Sequence, residues 1–240
     1  MKSHHGPSLF ELAHQALSSV ERGYDLLAPK FDHTPYCTPE PVLVGAFSDL
    51  FVPHSVPRAI DVACGTGVAL AQLAPYVRDD LVGLDLSSAM LAQARVRLEA
   101  LPMRAKLSLI HEDILSAPAH LTGFDVVTCF GAFGHIAERD EEHFVAAIHQ
   151  LLRPGGVFVF VTAERAPTMA QRSFWLSHGF NLAMRVRNAL IRPPFVMYYL
   201  TFLLPRATQI LEAQGFEVHV SRGRFAAPFD HLVRVTATRR

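Results

Sequence analysis

Between residues 58 and 162 the chain alternates short apolar runs with stretches of helical period, and this alternation restricts the fold more than any other feature. The runs are RAIDVA (58–63), DLVGLDL (80–86), KLSLIHED (106–113), FDVVTCF (124–130) and GVFVFVT (156–162). They are short, β-branched and nearly continuously apolar, as strands covered on both faces should be. Segments 67–75, 87–101 and 138–152 carry apolar positions at helical spacing. Strands joined through helices imply right-handed crossovers, hence a doubly wound, mainly parallel sheet with helices on both faces. RPGG at 153–156 is expected to break the last of these helices before strand five.

After strand five the rhythm fails. Residues 163–205 form a long excursion, expected to be helical over 168–191, with Pro193, Pro194 and Pro205 as punctuation. A helix, a stop at Gly215 and a strand then follow in RATQILEAQGFEVHVSRG, and HLVRVTATR reads as the final strand. The region before residue 55 reads as one or two helices around a proline-rich link. With 240 residues, half of them hydrophobic, the chain can bury the core of one large α/β domain.

The chemistry gathers where strands end. Gly65-Thr66-Gly67 lies between strand one and the next helix, where backbone can approach a ligand beside a helix N-terminus. A dinucleotide loop would carry a third glycine three residues after Gly67, and Leu70 stands there instead. Strand two ends in Asp85, eighteen residues after Gly67, where a carboxylate accepts both hydroxyls of a ribose. Strand three ends in Asp113, placed to accept from an exocyclic amine, with Ile114 to lie on an aromatic ring. Three successive strands thus carry Asp61, Asp85 and Asp113 at their ends, which points to an adenosine cofactor.

As an ordered set, DVACGTG (61–67), Asp85 in GLDLS, Asp113 in HEDIL, FDVVTCFGAFGHI and LLRPGGVFVF resemble the motifs of class I S-adenosylmethionine-dependent methyltransferases. The likeness covers roughly residues 55–162, and YDLLAPKFD (24–32) is similar to a segment that precedes the loop in many small-molecule members. It implies a Rossmann-like, seven-stranded sheet with an antiparallel C-terminal hairpin and a helical lid inserted after strand five. Residues 1–55 would form a helical cap, 56–162 the cofactor-binding core, 163–205 the lid, and 206–240 the last helix and hairpin of one domain. The backbone of Ala63, Gly65 and Gly67 would lie against the methionine part of the cofactor, with Asp61 holding its amino group. Asp85 would take the ribose hydroxyls and Leu86 one adenine face, Asp113 would read the adenine amine with Ile114 beside the ring, and Met90 would also bind the cofactor. Phe130 would line the sulfonium site and Tyr24 would close over it.

In-line methyl transfer is mainly a positioning task, and a base is needed only where the acceptor must lose a proton early. His135, after strand four, is the best-placed candidate, against the alternative of a structural histidine bonded to a loop; His33, Tyr36 and His231 are weaker candidates. The acceptor is expected to be a small molecule, lipophilic or aromatic, of natural-product or quinone-like type. The sequence after strand four lacks both (N/D)PP(Y/F) and a Pro-Cys pair, and there are only three lysines. These absences argue against base, glutamine and RNA-ribose methylation. Twenty-two basic and 22 acidic residues balance, so no pull on nucleic acid is expected. No acidic cluster suggests a magnesium site. A mean hydropathy of +0.21 favours a hydrophobic acceptor.

In the lid, Leu176, Phe180, Met184 and Ile191 are expected near one helical face with Arg185, Arg187 and Arg192 interspersed, and peripheral membrane or lipid contact through 168–204 is one reading. Three cysteines without CxxC spacing, no signal-like N-terminus and no apolar run of the roughly 20 residues needed to cross a bilayer lead to the expectation of a cytoplasmic protein. Two other functions remain open at this point: a nucleotide-dependent oxidoreductase, motivated by GxG with Asp85, and a non-catalytic relative that binds the cofactor.

Overall fold

The computed structural model of the protein describes residues 6–116 and 120–240; the first five residues, read above for a leader, lie outside them. Seven strands form one sheet in the order β3-β2-β1-β4-β5-β7-β6. They are β1 (Val56–Val62), β2 (Val77–Asp85), β3 (Lys106–His111), β4 (Phe124–Cys129), β5 (Leu152–Ala163), β6 (Phe216–Ser221) and β7 (Leu232–Arg239). β1 to β5 pair in parallel, and β7 runs antiparallel between β5 and β6. This is the Rossmann-like sheet with an antiparallel C-terminal hairpin expected from the sequence.

Eight α-helices accompany the sheet among the described residues: α1 (Leu9–Leu17), α2 (Val20–Leu27), α3 (Glu40–Phe47), α4 (Val68–Leu73), α5 (Ser88–Glu99), α6 (Glu141–Leu151), α7 (Arg172–Leu190) and α8 (Leu204–Ala213). Strand residues feed two cores alternately. Val127, Phe158 and Phe160 meet Phe144, Ile148 and Ile210 on one face, while Val126 and Val159 meet Leu70, Leu73 and Leu98 on the other. Burial on both faces is why the central strands are continuously apolar.

Leu70, where a dinucleotide loop would have glycine, is fully buried. Its bulk is accommodated by the neighbouring strand: a Cβ on Gly83 would stand 2.7 Å from Leu70 Cδ1. The close approach of helix to sheet is thus provided by a glycine in β2 rather than in α4.

Three expectations need correction. RPGG does not separate a helix from strand five; β5 already begins at Leu152 and runs through it. Phe124 pairs with Leu152 and Val126 with Val157, so the extra residues bulge outward at Gly155 (φ 74°) before pairing resumes. The segment before residue 55 holds three helices, because Pro39–Pro41 opens α3 rather than serving as a link. In α7, Met184 faces inward but Leu176 is 73% exposed. A spacing of four residues drifts about 40° per step, so residues 176 and 184 diverge by about 80° around the helix.

Candidate functional site

Strand order reverses between β1 and β4, and a ligand site belongs beyond the carboxyl ends of these strands. A cavity of about 630 Å³ opens there. Its polar end is made by the loops after β1, β2 and β3. Ala63, Gly65 and Gly67 all have positive φ (54°, 52° and 78°), and the turn they make brings backbone to the cavity edge. Asp85 secures the turn: its Oδ2 accepts from the Gly65 N–H at 2.7 Å and its Oδ1 from the Ser87 N–H at 2.8 Å. These two amides oppose the burial that pushes the Asp85 carboxyl up. Each oxygen has capacity to accept one more hydrogen bond, and Asp85 lines the cavity.

Asp61 lies deeper, 1% exposed, and Thr128 Oγ1 donates to its Oδ1 at 2.5 Å. Burial, with the nearby Asp85 carboxylate, raises this carboxyl to about 7 despite the Thr128 hydrogen bond. Asp113, Ile114, Leu86 and Met90 line the same end, and Asp113 Oδ1 accepts from the Leu115 N–H at 3.0 Å. The His111 Nε2–H donates to the Leu86 carbonyl at 2.7 Å, which fixes the loop after β2. Four carboxyls, Asp61, Asp85, Glu112 and Asp113, line the cavity, and no lysine or arginine is among the described residues that do.

The other end is apolar and aromatic. Phe130, edge-on to Phe47 at 5.4 Å between centroids, Phe133, Ile136 and the irregular stretch Val196–Leu203 form its walls. His135 stands here, held by both ring nitrogens. Nδ1 lies 2.7 Å from the Val196 carbonyl, which can only accept, so Nδ1 carries the proton. Nε2 therefore accepts from the Tyr24 hydroxyl at 2.6 Å. Burial lowers the His135 pKa, against the opposing Val196 hydrogen bond, and raises that of the Tyr24 phenol. The pair is a neutral histidine beside a protonated tyrosine.

The acids of the 24–32 segment do not line the cavity. Asp25 accepts from Ser87 Oγ at 2.6 Å and the Ala89 N–H at 3.1 Å, at the start of α5. Asp32 accepts from Thr66 Oγ1 at 2.6 Å and from Arg97, and Arg97 Nε also donates to the Thr66 carbonyl at 2.9 Å. These bonds fasten the N-terminal segment across the glycine loop and bring Tyr24 and Phe31 to the cavity wall.

Of the residues singled out from sequence, Tyr24, Asp61, Ala63, Gly65, Asp85, Leu86, Met90, Asp113, Ile114, Phe130 and His135 line this one cavity. Gly67 does not. A Cβ there would stand 3.0 Å from Ala94 Cβ, so the residue serves the approach of α4 to α5. Tyr36 lines the cavity, whereas His33 and His231 do not. Sequence reasoning placed Val196–Leu203 within the 163–205 lid but, with no periodicity to read there, singled out none of its residues, and it missed the fastening role of Asp25 and Asp32.

Proteins of known family that resemble this chain are methyltransferases. A methyltransferase-domain family model matches residues 59–156. An uncharacterized methyltransferase of Mycobacterium bovis is 31% identical over 149 residues, 60% of this chain and 70% of that protein. A ubiquinone biosynthesis O-methyltransferase of Thiobacillus denitrificans is 34% identical over 117 residues, 49% of each chain. Among solved structures, a DhpI–SAH complex superposes with a TM-score of 0.62 over 96% of this chain and 98% of the other. At 18% identity, that likeness bears on the fold alone. The chain belongs to the class I S-adenosylmethionine-dependent methyltransferase family.

Proposed function

We propose that the chain transfers a methyl group from S-adenosylmethionine to a small lipophilic or aromatic acceptor held under the 163–205 segment. The observation that carries this reading is the cavity's division of labour: four carboxyls and no basic side chain at one end, aromatic and aliphatic walls at the other. A ligand with an ammonium group, a sulfonium and a ribose fits the acidic end. A pyrophosphate fits poorly, because the Gly65 amide is already bonded to Asp85 and the surrounding carboxyls would repel it. The chemistry of this donor set thus separates the two adenosine cofactors that GxG with Asp85 leaves open. The match to a ubiquinone biosynthesis O-methyltransferase supports a quinone-like acceptor.

Asp61 would pair with the ammonium group, Asp85 with the ribose hydroxyls and Asp113 with the adenine amine. When bound, the cofactor supplies an electrophilic methyl for in-line displacement. The chain's own task is to hold the acceptor about 3–3.5 Å from that methyl and to keep water out. For a hydroxyl acceptor, a proton passes to Tyr24 Oη while the Tyr24 proton passes to His135 Nε2. The resulting imidazolium is stabilised by the Val196 carbonyl on Nδ1. Residues 6–55 act as a cap fastened by Asp25 and Asp32.

The test is calorimetry with S-adenosylmethionine and NADH, followed by S-adenosylhomocysteine release across phenols, quinols, amines and acids. Binding of NADH alone would sink the proposal. Methyl-donor binding without turnover on any acceptor would leave a non-catalytic relative. His135→Ala is expected to slow turnover on a hydroxyl acceptor about 100-fold while leaving cofactor affinity unchanged. Normal turnover would return His135 to a structural role.

A further inference from the structure

α7 carries polar bracing groups on its inward side, beside Met184 and Phe180. Asn181 exchanges two hydrogen bonds with the Tyr199 backbone, and Asn188 bonds the backbone of Phe195 through both its oxygen and its nitrogen. Arg187 donates to the carbonyls of Ala16, Ser18 and Pro193, tying α7 to the end of α1. The opposite side carries Trp175 (64% exposed), Leu176, Leu182 (64%), Val186 and Leu190 (78%). At 100° per residue these five fall within an arc of about 120°. A helix packed only on its own chain would bury such an arc.

The charge around this arc says what covers it. Between Arg165 and Leu211 the chain has six of its 22 basic residues and none of its 22 acidic ones. Arg165, Arg172, Arg185 and Arg192 are exposed, and among the described residues none of them forms an ion pair. A second copy docking through the same face would bring arginines against arginines, with no carboxylate in the segment to compensate. A surface that is apolar in depth and anionic at its boundary satisfies both halves of the pattern. No helix among the described residues is long and apolar enough to cross a membrane.

We propose that the outer face of α7 docks on an anionic lipid bilayer, with the helix lying in the plane of the interface, its Trp175–Leu190 arc among the acyl chains, and Arg172 at the helix start and Arg185 beside the arc reaching the headgroups. After Ile191–Phe195 the helix is followed by Val196–Leu203, which walls the apolar end of the cavity, so docking would hold that wall near the bilayer. Docking stands apart from the identity of the acceptor and is read without turnover.

Trp175 is the chain's sole tryptophan, so its fluorescence reports this face directly. Vesicles of phosphatidylcholine mixed equally with phosphatidylglycerol are expected to shift its emission to the blue. Partitioning should fall about fivefold for each of Arg172→Ala and Arg185→Ala. It should fall on the order of tenfold or more for Leu182→Ser with Val186→Ser, and it should weaken with added salt. These variants should keep wild-type affinity for S-adenosylmethionine, which separates lost docking from lost folding. The proposal is overturned by an unshifted emission with vesicles, or by equal, salt-independent partitioning into pure phosphatidylcholine. It is also overturned by a shift that follows protein concentration without lipid, which would make a second copy the occupant.

Discussion

The edge of the sheet around Asp61 and Asp85 and the helix α7 use polar and apolar groups in opposite ways. At the sheet edge, carboxyls are buried and face inward to a cavity, each held by an amide or hydroxyl at 2.5–2.8 Å. In α7, amide and guanidinium groups brace the helix from within, and large apolar side chains face out. The first arrangement spends folding stability on a preorganised ligand site. The second leaves apolar surface available for a surface beyond the chain.

The largest contrast should appear on truncating leucines. Leu70→Ala removes a fully buried side chain that fills the space over Gly83, and is expected to cost about 3 kcal/mol of stability. Leu182→Ala, at an exposed position, should change stability by less than about 0.5 kcal/mol. Urea unfolding of both variants measures this, and similar losses would break the comparison.

A smaller effect is expected on cofactor affinity. Asp85→Ala should weaken S-adenosylmethionine binding by about 2 kcal/mol in calorimetry, through loss of hydrogen bonds to a carboxylate. Arg185→Ala on α7 should leave that affinity unchanged. If the Asp85 variant binds as wild type does, the ribose is held elsewhere.

The smallest effect per unit measured concerns pH. The Asp61 carboxyl is raised from 3.8 to about 7, so the folded chain keeps a proton that the unfolded chain releases within that window. The stability this contributes is fully present below about 4 and is lost as pH rises through about 7, at up to about 1.4 kcal/mol per pH unit. Asp61→Asn should flatten the slope in thermal unfolding of the unliganded protein. Because an ammonium partner favours the carboxylate, cofactor binding near pH 6 should release a proton, visible as buffer-dependent heat.

How legible each region was follows from what constrains it. β1, β4 and the second half of β2 were readable because parallel strands covered on both faces favour continuous apolar residues; β3, at the sheet edge, was readable from its short apolar run before HED. Asp85 and Asp113 were readable because they fall where those strands end. β5 was placed too late at residue 156, since a bulge at Gly155 lets Arg153 and Pro154 belong to a strand. The spacing of Gly67 points to a ligand loop, and only the packing shows that its missing Cβ also makes room for Ala94. In α7 the faces could not be told apart, because Met184 and Phe180 lie on one side of a helix whose other side is also apolar.

The sequence by itself determined the alternation of strands and helices, the acids at successive strand ends and the family. These follow from local periods and spacings, which act over a few residues. Only the tertiary structure decided that Leu70 is matched by Gly83, that Tyr24 donates to His135, that Asp25 and Asp32 fasten a cap, and which side of α7 is left uncovered. Each of these depends on which distant segments meet, and contact between segments far apart in the chain is fixed by packing rather than by period.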